Sequence, residues 1–239
     1  MIDIIKSEFQ KSKRTSINKF ITITPLFAVL VSFLWGGGQN GAYNWWYTMF
    51  LPGILGIISA QVMTREKKLS YKGLLLYPQD KGTIWLGKII YISILLVITS
   101  LLFMMGIIGM GYIFGFTDIV LRRNVLATIV LIVTFLFQIP ISLFLTVKFN
   151  MFATVLFNMG MTGFGVVTFA TKSFYLFYPY GISSTLMVPV LGILPNGLPA
   201  SANNPLLNSG IGVGVASNIL FFFILTGVTT IWFRNKEVN

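Results

Sequence analysis

Between Lys19 and Arg65 the chain runs 45 residues without a formal charge, and uncharged runs return over Ile89–Thr117, Asn124–Val147, Phe149–Thr171 and Ser173–Phe233. A charge at mid-bilayer costs roughly 2.5–3.5 kcal/mol even on the lenient insertion scale, so hydrocarbon is the solvent that favours such runs. A helix needs about 20 apolar residues to cross about 30 Å of hydrocarbon. The pattern therefore predicts spans at Phe20–Trp35 (extending toward Ile17), about Tyr43–Thr64, roughly Ile89–Tyr112, Asn124–Val147, Met151–Ala170 and Gly210–Phe233. The cluster Gly36-Gly37-Gly38-Gln39-Asn40-Gly41 is expected to break the first span from the second. Trp45, Trp46 and Tyr47 are expected to form an aromatic belt at the entry of the second.

The remaining segments are polar or irregular. Residues 1–19 read as a cytoplasmic elbow helix lying on the membrane, with Ile2, Ile5, Phe9, Ile17 and Phe20 on one stripe and Lys6 and Lys13 snorkelling from it. Residues 20–64 hold spans one and two, 65–88 a cytoplasmic loop, 89–147 spans three and four, and 148–170 span five. Residues 171–209 carry Pro179, Pro189, Pro195, Pro199 and Pro205 among aromatics. Irregular backbone cannot face lipid, so this stretch lies outside or packs as a re-entrant piece against protein. Residues 210–233 form span six and 234–239 a cytoplasmic tail. The expected fold is an all-α membrane protein with six transmembrane helices.

Composition agrees: 55% of residues are apolar and 10% charged, against about 25% charged in a soluble domain. The 17 Lys and Arg outnumber 6 Asp and Glu, but they sit in membrane-flanking segments, where orientation and anionic headgroups account for them better than nucleic acid. With both termini cytoplasmic, the external side holds only Arg122, Arg123 and Lys172, which favours an N-in, C-in topology. There is no Cys and no His, which removes thiol nucleophiles, thiolate and imidazole metal sites, and the usual neutral-pH base.

The motifs are modest. Gly82-Thr83-Ile84-Trp85-Leu86-Gly87-Lys88 spells GxxxxGK, but Ile89 stands where a phosphate loop needs Ser or Thr and no strand precedes it. Trp85 and Lys88 are expected instead to anchor the third span at the headgroups. Gln61, Gln138, Asn158 and Asn218 are the intramembrane amides, expected to bond helix to helix. Gly111 and Gly115 make one GxxxG, and Gly160, Gly163 and Gly165 offer room for close packing. In the loop after the second span, a charged patch with Glu66, Lys67 and Lys68 precedes the apolar knot Leu74-Leu75-Leu76. Pro78 then stops any helix and Asp80 can cap the next. An apolar knot rimmed by charge suggests docking of a cytoplasmic partner.

That loop, in that place, resembles the type II ABC exporter permease family, whose loop tends to run acid, base, Leu-Leu, Pro and a Lys opening the third span. Those positions are Glu66, Lys68, Leu74-Leu75, Pro78 and Lys88, and Glu8-Phe9-Gln10-Lys11 is similar to the family's elbow. A narrower likeness is to permease subunits of lantibiotic-immunity ABC transporters. It rests on Tyr43-Asn44-Trp45-Trp46-Tyr47 leading to Leu51-Pro52-Gly53, and on Leu191-Gly192-Ile193-Leu194-Pro195-Asn196-Gly197-Leu198-Pro199.

The resemblance implies six spans, an elbow helix, and a coupling helix between spans two and three that includes Glu66, Lys67, Lys68, Leu74, Leu75, Pro78 and Asp80. It implies no catalytic residue, metal or cofactor on this chain, since a separate ABC ATPase subunit dimer would hold ATP and magnesium. It also implies a second related permease subunit, as heteromer or homodimer, and a cationic lanthionine peptide expelled from the membrane. Substrate contact is expected at Trp45, Trp46, Tyr178 and Tyr180, because the external face lacks the acids to attract a cation. Another bacteriocin, antibiotic or lipid-like cargo is the alternative, and a stand-alone carrier or scaffold the remote one.

Overall fold

The computed structural model describes residues 1–13, 15–68, 80–115, 119–172 and 174–236, with only the backbone of Lys67 and Lys68. The described residues form a helical bundle with six helices long and apolar enough to cross a membrane. The first span, Ile17–Leu34, packs on the third, and the second on the fourth and fifth.

The second span starts earlier than the glycine cluster suggested. Only Trp35–Gly37 make the turn, Gly36 taking φ +73°, and helix resumes at Gly38–Trp45. It continues through a π-helical turn, Trp46–Phe50, into Leu51–Lys68. Pro52 explains the π turn: it has no N–H for the carbonyl of Thr48 and its ring would strike that carbonyl, so the turn widens. The fourth span breaks for the same reason, as Leu121–Phe135 and Gln138–Lys148, the two-residue gap opening at Leu136, whose carbonyl Pro140 cannot serve.

The third span, Lys81–Phe114, has 34 residues, about 50 Å at 1.5 Å per residue, and so projects beyond the hydrocarbon. Asp80 caps it, its carboxylate accepting from Gly82 N–H at 3.0 Å. The GxxxxGK stretch is thus ordinary helix at the start of the span. Gly87 serves packing: a Cβ there would lie 2.5 Å from Ile4 Cγ2 of the elbow. Gly115 is not a packing glycine but the left-handed cap, at φ +75°.

The fifth span, Met151–Thr168, joins the fourth along a seam of hydroxyls and one amide. Thr146 and Thr154 meet at 3.0 Å, and Asn158 Nδ2 donates to Ser142 Oγ at 2.7 Å. Asn158 therefore bonds helix to helix as expected, and Gln61 accepts from Ser16 Oγ. Asn218 departs from the expectation, being fully buried with neither amide atom bonded.

After the fifth span the chain turns back into the bundle. Pro179–Leu191 is a half-helix of 13 residues, about 20 Å long and too short to span. It is enclosed by the fourth, fifth and sixth spans, which is how its backbone avoids lipid. Pro179 starts it where a missing N–H costs nothing, and Gly192 ends it at φ +76°. The sixth span, Ile211–Arg234, closes over the third, fourth and half-helix.

Candidate functional site, an ion cluster under the elbow

The elbow helix, Ile2–Ser12, buries Ile4, Glu8 and Ser12, one face at four-residue spacing. On the apolar stripe, Ile2 and Phe9 face outward, 68% and 37% exposed, while Ile17 is buried. The face with the acid is turned inward because its partner is there. Lys88, in the third turn of the third span, is wholly buried, and its ammonium lies 2.7 Å from Glu8 Oε1 and 3.0 Å from Glu66 Oε1. Glu66 comes from the end of the second span. One lysine thus ties elbow, second span and third span together.

The neighbours complete the charge balance. Lys11 Nζ bridges the same two carboxylates at 3.2 and 2.9 Å, and Arg65 Nη2 reaches Glu8 Oε2 at 3.3 Å. Tyr91 adds a neutral tie, donating to Ser12 Oγ at 2.7 Å. Each buried ion forfeits several kcal/mol of hydration, which is recovered only when hydrogen bonds and opposite charge surround it. Two carboxylates between three cations meet that condition. Burial works against the Lys11 ammonium, yet the Glu8 charge and the Glu66 hydrogen bond outweigh it and raise its pKa, so it stays charged.

Sequence reasoning placed Lys88 and Trp85 at the headgroups, and both placements are corrected. Trp85 is buried, stacked on Phe233 at 4.4 Å, with Nε1 donating to Thr229 Oγ1 at 3.1 Å. The signal for Lys88 was available: it falls on the helical stripe of Ile84, Tyr91, Ile92 and Leu95, and a cation on an apolar stripe requires a buried counter-ion.

Of the coupling residues expected from sequence, Glu66 sits inside this cluster. Asp80 lies apart from it, pairing with Arg234 Nε at 3.1 Å in an exposed contact. The side chains of Lys67 and Lys68, and Leu74, Leu75 and Pro78 entirely, lie outside the described residues. The aromatic candidates fall into two groups. Trp45 is 40% exposed and stacks with Trp35, while Trp46 is buried flat on Phe103 at 4.3 Å. Tyr178 stacks on Phe169 at 4.4 Å, and buried Tyr180 donates to Asn158 Oδ1 at 3.2 Å. Trp46 and Tyr180 therefore present no surface to a substrate in this conformation.

A family model described as ABC-2 family transporter protein matches residues 4–168. The chain belongs to that family. An ABC-2 member of this kind is the transmembrane component of a transporter and works with a separate ABC ATPase. The matched region contains every charged member of the cluster. No curated protein and no solved structure matches the chain. The six apolar helices and the family together make this ABC-2 permease a multi-pass protein of the cell membrane.

Proposed function

We propose that this ABC-2 permease expels cationic lanthionine peptides from the membrane, with both termini and the elbow in the cytoplasm, and so confers lantibiotic immunity. The observation that carries the reading is a contact between the two sequence stretches of the narrower resemblance. Asn44 Nδ2 donates to the Pro195 carbonyl at 3.0 Å, and Gly197, at φ +86°, lies so close that a Cβ would meet Asn44 Cγ at 3.1 Å. The two motifs, about 150 residues apart in sequence, build one outer structure, as a shared specificity would require.

Beside that contact lies a cavity of about 520 Å³ lined by Val166, Val167, Leu194, Pro195, Pro205 and Leu206 with Thr171, Asn196 and Asn204. None of its described lining residues is charged, which suits capture of an amphipathic peptide by its apolar residues. The same lining suits another bacteriocin, an antibiotic or a lipid-like cargo, the second reading. No cofactor is assigned to this chain; ATP and magnesium belong to the ATPase dimer, which acts on a pair of permeases. Closure of the ATPases pushes on 65–81, and the ion cluster passes the displacement to the elbow and third span.

Deleting the gene should sensitise cells to particular lantibiotics and leave unrelated antibiotics unaffected; general sensitisation would favour the second reading. The combined change Glu66→Lys, Lys68→Glu and Leu75→Asp should uncouple ATP hydrolysis from protection. Undiminished protection at normal membrane levels would rule out the docking role.

A further inference from the structure

At the foot of the bundle, next to the ion cluster, a second cavity of about 350 Å³ is lined by Thr15, Ser16, Gln61, Thr64, Arg65 and Met151. We propose that it binds the phosphate of an anionic lipid headgroup. Three hydroxyls, an amide and a guanidinium line it, and among the described residues no acid does.

Arg65 is the deciding residue. Its Nη2 makes a long contact with Glu8, while Nε and Nη1 are shielded from water and have no hydrogen-bond partner. Unpaired guanidinium donors are costly in such a place, and a phosphate offers the planar fork its natural complement. Glu8 reaches only Nη2, through Oε2, while the Oε1 atoms of Glu8 and Glu66 hold Lys88 and Lys11, so neither acid bonds Nε or Nη1. Among the described residues the cluster has one more cation than anion, so an arriving phosphate neutralises an existing excess. Ser16 Oγ donates to Gln61 Oε1 at 3.1 Å, which fixes that amide with Nε2, a donor, as its remaining group.

Location favours a lipid over a free anion. The cavity lies where the first and fifth spans begin, Ile17 and Met151, and where the second is ending. That is the level of the phosphate layer. Phe152, 71% exposed beside Met151, offers an apolar track for the acyl chains, and exposed Lys13 and Lys19 add attraction to an anionic surface.

The test uses the full chain, purified in a neutral detergent and titrated with dioctanoyl phosphatidylglycerol, dioctanoylglycerol or inorganic phosphate. Binding is read by native mass spectrometry and by the shift of the unfolding midpoint. The phosphatidylglycerol should bind saturably, dioctanoylglycerol should not, and inorganic phosphate should bind at least about tenfold more weakly. Arg65→Gln should lose about tenfold in affinity, since it removes the charged fork. The Thr64 side chain makes no hydrogen bond to the ion cluster, so Thr64→Val should weaken lipid binding without lowering the lipid-free midpoint. Equal binding of dioctanoylglycerol, or unchanged affinity in both variants, would overturn the proposal. So would inorganic phosphate binding as tightly as the lipid, which would make this a free-anion site. Purified in parallel from cells that also express the ATPase subunit, a Thr64→Val permease that loses the ATPase while keeping its lipid affinity would assign the cavity to an acidic protein surface instead.

Discussion

Lys88→Met should destabilise the folded permease by about 3–5 kcal/mol, the range for removing one partner of a buried ion pair. The loss goes beyond two missing hydrogen bonds. Glu8 and Glu66 would face each other across the space the ammonium leaves, with Lys11 and Arg65, on their outer side, the cations left to offset them among the described residues. The measurement is the unfolding midpoint in detergent, alongside the amount of folded protein in membranes. The triple change Glu8→Gln, Glu66→Gln and Lys88→Met removes the orphaned charges and should recover much of the lost stability, because uncharged replacements of a buried ionic group are often tolerated. If the cluster also transmits the ATPase stroke, the triple variant should be folded and yet poorly coupled. A Lys88→Met protein as stable as the parent would mean that water or a rearranged Lys11 already serves the two acids.

Gly165→Val is the second large effect. A Cβ at this position would lie 2.7 Å from Tyr178 Cε1, 2.9 Å from the Gly181 nitrogen and 3.0 Å from the Tyr180 carbonyl carbon. Two of the three obstacles are backbone at the start of the half-helix and cannot rotate aside. Overpacking of this kind costs about 1–3 kcal/mol, occasionally more. The half-helix must retreat from the fifth span, breaking the Tyr180–Asn158 hydrogen bond and exposing irregular backbone in the bundle. Faster proteolysis across 171–178 and a lower unfolding midpoint are the expected readouts. Gly160→Val is the matched control, since nothing lies within 4 Å of its Cβ direction, and it should be close to neutral. Equal effects of the two substitutions would show that helix propensity, not contact with the half-helix, governs this segment.

The two residues show how differently the parts of this molecule can be read. Both Gly160 and Gly165 looked like packing glycines in sequence, and one of them is. What separates them is where the chain returns after Tyr178, a long-range placement that local pattern does not encode. Pro52 and Pro140 were visible as residues, but whether each would kink, bulge or stop its helix depended on what packed around it. The inward face of the elbow was hidden for a related reason. Its apolar stripe can be judged locally against a lipid surface, whereas the burial of Glu8 follows from a lysine 80 residues away.

By itself, the sequence determined the solvent and the number of crossings, because the cost of charge in hydrocarbon acts on each residue where it stands and sums along the chain. It also determined where the third span is capped, since Asp80 needs only its own turn to do so. Tertiary structure alone decided that Lys88 is a buried ion and not a headgroup anchor, that Asn44 meets Pro195, and that Pro179–Leu191 is enclosed. Those outcomes rest on pairings between distant segments, and a side chain's surroundings exist only once those segments have come together.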